Sequence, residues 1–164
     1  LCRPGELRQM EWAEVDLDKR IIELSASKMK MGKPHIIPLA LQACEILGEL
    51  HFVTGRGAYV FPSARGNSRP LSDNGVRTAL RTLGYTNDQI SPHGFRAMAR
   101  TVLDEVLHFR IDWIEHQLAH QVRDPNGRAY NRTKYLDQRK DMMQAWADYL
   151  EKLSRNTLKV ASGS

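Results

Sequence analysis

The sequence lacks long apolar runs and has few cysteines, and each absence excludes a class of protein. No segment approaches the roughly 20 apolar residues of a membrane-spanning helix, and no signal-peptide pattern opens the chain. Its two cysteines, Cys2 and Cys44, do not make a disulfide framework, which favours a reducing compartment. Internal repeats and low-complexity segments are also missing. The sequence therefore indicates neither a membrane-spanning protein nor a disulfide-stabilised secreted one.

Length and composition predict one folded domain with an anionic partner. The 164 residues are enough to bury a core, and a hydrophobic share of 41% argues against a disordered chain. Twenty-four Lys and Arg against 19 Asp and Glu give a net charge of +5, which favours nucleic acid or a membrane surface as the partner. Because the chain opens at Leu1 rather than Met, we expect it to be a fragment of a longer protein.

Hydrophobic periodicity predicts the fold class. A short helix over residues 5–12 precedes three strand-like segments, 15–17, 21–24 and 35–39, which we expect to form an antiparallel meander. After residue 40 the period is helical, and Ser72 and Ser91 are candidate helix caps. The pattern predicts a mainly α protein with a small three-stranded antiparallel sheet near its N-terminus (α+β). We expect the domain to occupy residues 1–153 and residues 154–164 to form a flexible tail.

The apolar spacing also predicts which helix faces are buried. In the first long helix, one face carries Ala43, Ile46, Leu47, Leu50 and Val53. In the helix after Ser91, the residues expected to face inward are Phe95, Met98, Val102 and Val106. Ile111, Ile114 and Leu118 form a further stripe, and the last helix carries Met142, Trp146, Tyr149, Leu150 and Leu153 on one face.

Two arginines and a histidine are candidate ligands of a phosphate group. His93 and Arg96 lie three residues apart, which places both on one face of a helix. Arg3 stands in the segment Arg-Pro-Gly-Glu, where Glu6 could orient it or act on the helix dipole. A planar guanidinium can pair with two phosphate oxygens at once. Each signal is weak alone, because His-x-x-Arg is common and Arg3 could be a solvated turn residue.

A basic hairpin offers a candidate proton donor. Lys28, Lys30 and Lys33 lie between the second and third predicted strands. Lysines on a hairpin usually form a solvated edge that discourages aggregation. A lysine whose pKa responds to burial can instead protonate a leaving oxygen. The sequence alone favours none of the three lysines as the proton donor.

Two histidines four residues apart resemble half of a zinc site. A metalloprotease motif would have Glu directly after His116, but Gln117 stands there. No other Cys or His pair completes a tetrahedral set, so we expect no metal. One histidine of the pair, His116 or His120, could face a phosphate instead.

Tyr130 is the candidate nucleophile. A tyrosine with an ordinary pKa of about 10 is a poor nucleophile at neutral pH, but nearby cations favour its phenolate. Residues 121–140 hold six Lys or Arg and only two Asp. Tyr135 is an internal competitor in the same basic segment, and either tyrosine could simply be packed or contact a phosphate.

Four segments together resemble the tyrosine recombinase family, in particular the phage-type integrases of prophages and genomic islands. Arg3–Trp12 resembles the family's first arginine box, and Lys30–Leu39 resembles its β-hairpin lysine segment. Ser91–Arg96 is similar to the His-x-x-Arg box, and Leu118–His120 followed by Tyr130 is similar to the C-terminal box. The match of four boxes in order is far more specific than any one of them.

The resemblance implies a catalytic domain of the tyrosine recombinase type with six site residues. Five are activating residues and the last is the nucleophile, namely Arg3, Lys30, His93, Arg96, His120 and Tyr130. It implies a 3′-phosphotyrosyl intermediate and requires no cofactor or metal. The implied partner is a double-stranded DNA attachment site in the bacterial cytoplasm. The full-length protein would form a homotetramer on DNA, and the fragment, without the family's N-terminal DNA-binding domains, a monomer or a weak assembly.

Two other functions fit part of the same pattern. A type IB topoisomerase would use the same chemistry but rejoin the same strand, and only strand exchange needs a four-subunit assembly. A DNA-binding module without catalysis would use its cations for phosphate contacts, and its tyrosine would be structural. A covalent protein–DNA adduct distinguishes that module from both enzymes.

Overall fold

The N-terminal part of the fold is a small sheet. The computed structural model describes residues 1–120 and 133–162, with side chains described as far as residue 157. Helix α1 (Pro4–Arg8) precedes the strands β1 (Val15–Asp16), β2 (Ile21–Leu24) and β3 (His35–Pro38). The strands are antiparallel in the order β1-β2-β3, and Ile22 lies opposite both Val15 and Ile37. This arrangement confirms the predicted meander.

The sheet packs against α1 and α2 (Leu41–Thr54) to form what we call the first core. Its buried members are Met10, Ile22, Leu24, Met29, Ile37, Leu39, Leu47 and Val60. In β2 the alternating pattern places Ile22 and Leu24 inside and Glu23 outside. Full burial of one such aliphatic side chain contributes about 1.5–3 kcal/mol, so these side chains account for the stability of strands this short.

The remaining helices are α3 (Gly75–Thr82), α4 (Gly94–Thr101), α5 (Ile111–Gln117) and α6 (Leu136–Ser162), and a π-helical turn, Val102–Val106, follows α4. Helices α4, α5 and α6 surround a second core, whereas α3 contacts α1. The buried members of the second core are Ala99, Leu103, Ile114, Leu118, Met142, Met143 and Trp146. With the small sheet, these helices confirm the predicted mainly α architecture. Among the described residues, no helix has both the length and the apolarity needed to cross a bilayer.

A second hairpin was not predicted. Strands β4 (Pro62–Ser63) and β5 (Gly66–Pro70) pair antiparallel between α2 and α3. Their sequence is rich in Gly, Ser, Asn and Pro, residues that favour turns and are depleted in strands. Most of β5 is exposed, so no alternation of apolar and polar residues marks the pairing.

The predicted inner face of α2 is wrong in part. Leu47 is buried, but Ile46 is 65% exposed and Val53 is 77% exposed. The side chains of α2 that pack on the first core are Leu47, with Ala43, Cys44 and Leu50 partly buried beside it. Ala43, Leu47 and Leu50 thus lie inward as predicted, whereas Ile46 and Val53 do not, because an apolar residue at the edge of a stripe carries no mark of exposure.

The predicted inner face of α4 and the turn after it is also wrong in part, since only Val102 of the predicted set packs on the second core. Phe95 and Met98 are exposed, as is Val106, while Arg96 and Ala99 are buried. A guanidinium occupies an inner position because carbonyl groups accept its hydrogen bonds. Apolar spacing cannot anticipate a buried charge of this kind.

Two further predicted stripes are buried at one end only. Ile114 and Leu118 lie in the second core, but Ile111 is exposed. Along α6, Met142 and Trp146 are buried, whereas Leu150 and Leu153 are exposed. The predicted boundary at residue 153 falls inside α6, which continues through residues 154–162. The division into a catalytic domain and a tail stays a prediction.

A buried arginine joins the two cores. Arg139 of α6 has no exposed surface, and its Nε donates to Oε1 of Gln117 at 2.8 Å. Its Nη2 donates to the carbonyl of Ile36 in β3. His35 of the same strand lies 3.2 Å from the Gln117 carbonyl through its Nε2. Hydrogen bonds at this point therefore link the end of α5 to the start of α6 and to β3.

Burial of His35 makes the stability of the domain depend on pH. Burial, with a smaller contribution from the positive charge of Arg139, lowers the pKa of His35 from 6.5 to about 3. Between these two values the unfolded chain binds the extra proton, so stability falls as the pH is lowered. We expect a loss of ~2 kcal/mol in the free energy of unfolding between pH 7 and pH 5 from this residue. Urea unfolding of wild type and His35→Gln at both pH values measures it, and equal losses in the two proteins would contradict the assignment.

Candidate active site

Arg3 is held in place by Glu6. Arg3 caps α1, and its Nη1 lies 2.7 Å from Oε1 of Glu6, while Oε2 accepts the backbone N–H of Arg3 at 2.8 Å. The Glu6 side chain is only 6% exposed. The Nη2 of Arg3 donates to the carbonyl of Ala119 at 3.3 Å, across the fold. Glu6 therefore orients Arg3, which is a fixed group and not a solvated turn residue.

Arg96 is the most deeply buried of the predicted site residues that the structure describes. It is 5% exposed, its Nη2 donates to the Leu118 carbonyl at 2.7 Å, and its Nη1 donates to the Leu1 carbonyl. Its Nε has no hydrogen-bond partner within residues 1–120 and 133–157. Burial first, and then the nearby positive charge of Arg3, lower the pKa of Arg96. Two guanidinium groups thus lie close enough to repel each other, which suits a site for an anion.

His93 lies on the solvent side of the same turn. It is exposed at the start of α4, and its carbonyl accepts the backbone N–H of Arg96 at 3.0 Å. Ser91, the predicted cap, accepts the Gly94 N–H through its Oγ at 3.1 Å. The His-x-x-Arg pair therefore combines one buried cation with one accessible imidazole.

His120 is bound to a carboxylate. Its Nδ1 lies 2.5 Å from Oε2 of Glu115, and the other carboxylate oxygen accepts from Nε of Arg100 at 2.7 Å. Burial of the Glu115 side chain tends to raise its pKa, but the hydrogen bonds from His120 and Arg100 outweigh that effect and lower the pKa. Sequence analysis singled out neither Glu115 nor Arg100.

The three lysines of the first hairpin differ in their surroundings. The Nζ of Lys28 is 2.9 Å from Glu11, 3.0 Å from Glu14 and 3.0 Å from the Gln9 carbonyl. Burial tends to lower the pKa of Lys28, yet the carboxylates of Glu11 and Glu14 raise it. Lys28 is thus a structural cation, whereas Lys30 and Lys33 are both exposed.

The candidate nucleophile Tyr130 lies outside the described residues. Its competitor Tyr135 directly precedes α6, with a backbone φ of 57° and a partly buried side chain. The Tyr135 ring meets the His116 ring edge to face at 6.2 Å, and the Nζ of Lys134 lies 5.0 Å from its centre. The ring of Tyr135 therefore has a packing role of its own.

Two arginines from distant parts of the chain, Arg3 and Arg96, donate hydrogen bonds to one short segment. The guanidinium groups donate to the successive carbonyls of Leu118 and Ala119, and His120 follows directly. Two fixed guanidiniums next to the segment that leads to His120 can bind the oxygens of a phosphate. Within the described part of the chain, no group of three or more His, Cys, Asp or Glu is arranged to hold a metal ion.

Sequence comparison finds integrases of phages and prophages. The phage integrase family matches residues 1–136. The integrase of Enterobacteria phage P4 is 39% identical over 168 residues, which cover 94% of this chain and 38% of that protein. Prophage integrase IntZ of Escherichia coli strain K12 is 38% identical over 92% of this chain and 37% of its own length. The chain thus spans about two fifths of the relatives' length.

Structural comparison finds a similar fold in a solved protein. The crystal structure of XerA recombinase superposes with a TM-score of 0.60, over 73% of this chain and 43% of that chain. At 23% sequence identity, this similarity concerns the fold.

Proposed function

This chain belongs to the phage integrase family, and from that premise we propose that it is the catalytic part of a site-specific DNA recombinase. The observation that carries the proposal is the convergence of Arg3 and Arg96 on the successive carbonyls of Leu118 and Ala119, directly before His120. The names of the relatives support the same reading. The substrate we propose is a double-stranded DNA attachment site.

The two arginines have donors to spare for a phosphate. A guanidinium carries five N–H donors, and the side chains of Arg3 and Arg96 each donate two hydrogen bonds within the described residues. The remaining donors can bind the non-bridging oxygens of the scissile phosphate. Because protein groups already hold both side chains, little reorganisation is needed when negative charge develops in the transition state.

We assign the first chemical step to Tyr130. Tyr130 gives up its phenolic proton to solvent, and its oxygen attacks phosphorus and forms the tyrosyl ester while the bond from phosphorus to the 5′-oxygen breaks. Lys30 donates the proton that the departing 5′-oxygen takes up, and His93 and His120 hydrogen-bond to the phosphate. The product is a 3′-phosphotyrosyl link that conserves the energy of the phosphodiester bond.

The second step reverses the first with a different strand. A 5′-hydroxyl of the partner strand attacks the phosphotyrosine, a new phosphodiester forms, and Tyr130 leaves with its proton restored. Exchange of strands between two duplexes requires four cleavages. We therefore propose that the full-length protein acts as a homotetramer on DNA in the bacterial cytoplasm, and that the chain alone is monomeric or weakly associated.

A nicked DNA substrate tests the proposed function directly. Duplexes are taken from the two ends of the genetic element that encodes the chain, with a nick placed so that the short cleaved strand diffuses away. The covalent adduct is then trapped, and mass spectrometry locates the modified residue. An adduct at Tyr130 supports the recombinase. DNA binding without any adduct would favour a non-catalytic module. On an intact duplex without the nick, religation to the same strand with no strand exchange would favour a topoisomerase.

Cleavage should not depend on a divalent metal. The arginines supply the positive charge that metal ions provide in many other phosphoryl-transfer sites. We expect the rate of adduct formation in excess EDTA to remain within about twofold of the rate with Mg²⁺, a difference of only ~0.4 kcal/mol in the barrier. A strict requirement for Mg²⁺ or Zn²⁺, restored by adding the ion back, would contradict the proposed site.

A further inference from the structure

The turn after α5 folds His120 back onto the helix. The backbone N–H of His120 donates to the Glu115 carbonyl at 3.0 Å, and that of Ala119 donates to the His116 carbonyl at 3.1 Å. Ala119 has a φ of 48°, in the left-handed region that usually requires glycine. This pair of bonds is the Schellman ending of a helix. It brings the side chain of His120 beside that of Glu115, five residues earlier.

The side chains add a second link between the same two residues. Nδ1 of His120 and Oε2 of Glu115 are 2.5 Å apart, so His120 is attached to Glu115 by both backbone and imidazole. A ring nitrogen bound to a carboxylate carries the proton, which leaves Nε2 as the ring atom for another partner. The ring is 41% exposed, so this second nitrogen is accessible to a substrate.

Arg100 holds the carboxylate from the other side. Its Nε donates to Oε1 of Glu115 at 2.7 Å. Arg100 lies on α4, four residues after Arg96, and the Glu115 side chain is 20% exposed. The two oxygens of Glu115 therefore have different partners, one on each side. Arg100, Glu115 and His120 form a chain of three side chains that runs from α4 to the site.

We propose that Glu115 is a positioning residue, which fixes the tautomer and the orientation of His120 so that Nε2 meets the scissile phosphate. The inference rests on the proposed recombinase function. Glu115 does not contact DNA in this assignment, and it acts only through the imidazole. Arg100 keeps the carboxylate charged and in place.

A double-mutant cycle tests this role in the adduct assay. Glu115→Gln preserves the size of the side chain but removes its charge, and we expect single-turnover cleavage to slow by roughly 10- to 100-fold, as for outer partners of functional histidines. DNA affinity should stay within about twofold, a change of ~0.4 kcal/mol in binding free energy. In a His120→Ala background the same substitution should have no further effect, because Glu115 would have nothing left to position.

Asp112 offers a matched control on the same helix. It is an acidic residue of α5 paired with Arg110 at 2.8 Å, without a histidine partner. Asp112→Asn should cleave like wild type, and thermal unfolding of every variant checks that folding is intact. Equal slowing by Glu115→Gln with and without His120 would overturn the proposal, since Glu115 would then act independently. Wild-type cleavage by Glu115→Gln would overturn it too, whereas absence of an adduct in wild type would instead overturn the recombinase function.

Discussion

Tyr130→Phe is expected to abolish the covalent protein–DNA adduct while leaving DNA affinity nearly unchanged. The substitution removes one oxygen atom, the proposed nucleophile, and keeps the aromatic ring. The six cations within residues 121–140 favour the phenolate of a tyrosine in this segment. Trapping on a nicked duplex measures the adduct, and a filter-binding titration measures the affinity.

Tyr135→Phe is the matched control for this prediction. The ring of Tyr135 packs against His116 and lies under Lys134, and phenylalanine retains both ring contacts. We expect this variant to form the adduct at close to the wild-type rate. The opposite pattern, with the adduct kept in Tyr130→Phe and lost in Tyr135→Phe, would reassign the nucleophile.

Arg96→Lys should cost roughly 10²- to 10³-fold in the cleavage rate, the usual effect of removing a preorganised donor to a developing anion. Lysine keeps the charge but loses the planar fork. Arg96 uses that fork to reach the carbonyls of Leu1 and Leu118 at once, and the second N–H of each terminal nitrogen is the donor that we propose for the phosphate oxygens. The single ammonium group of a lysine cannot reproduce this planar arrangement of hydrogen-bond donors. Single-turnover adduct formation at saturating DNA measures the loss.

An exposed arginine provides the comparison for Arg96. Arg110 is 65% exposed and pairs with Asp112, a contact that lysine can keep. Arg110→Lys should cleave like wild type. Because Arg96 is buried, thermal unfolding must show that Arg96→Lys is folded at the assay temperature. A folded Arg96→Lys protein with near wild-type cleavage would mean that Arg96 serves stability alone.

The sequence predicts those parts of the fold whose chemical pattern is repeated. The meander follows from short apolar runs such as Ile21–Leu24, which polar turn residues precede. The long C-terminal helix follows from an apolar stripe that includes Met142 and Trp146. The hairpin of β4 and β5 has neither signal, and its pairing depends on backbone hydrogen bonds that any residue can make.

Within the candidate site, the sequence singles out Arg3 and Arg96 but not the groups that they contact. Arg3 and Arg96 belong to local boxes, but their approach to the carbonyls of Leu118 and Ala119 spans more than 20 residues in one case and more than 100 in the other. Glu115 has no sequence mark, because a separation of five residues from His120 is not a helical pair. The link depends on the left-handed conformation of Ala119, and alanine gives no hint of it.

The two cores form separate apolar clusters, and hydrogen bonds of Arg3, His35 and Arg139 cross between them. Leu1 and Ala119 also pack across this junction. A typical hydrogen bond adds only about 0.5–1.5 kcal/mol net, so we expect the junction to open before the domain unfolds globally. Such a sub-global opening would part Arg3 from Arg96 and His120 with both interiors still packed. We therefore expect the proposed cleavage activity to be lost before the helices unfold. We expect amide hydrogen exchange at the junction to follow the loss of cleavage activity more closely than helix content does.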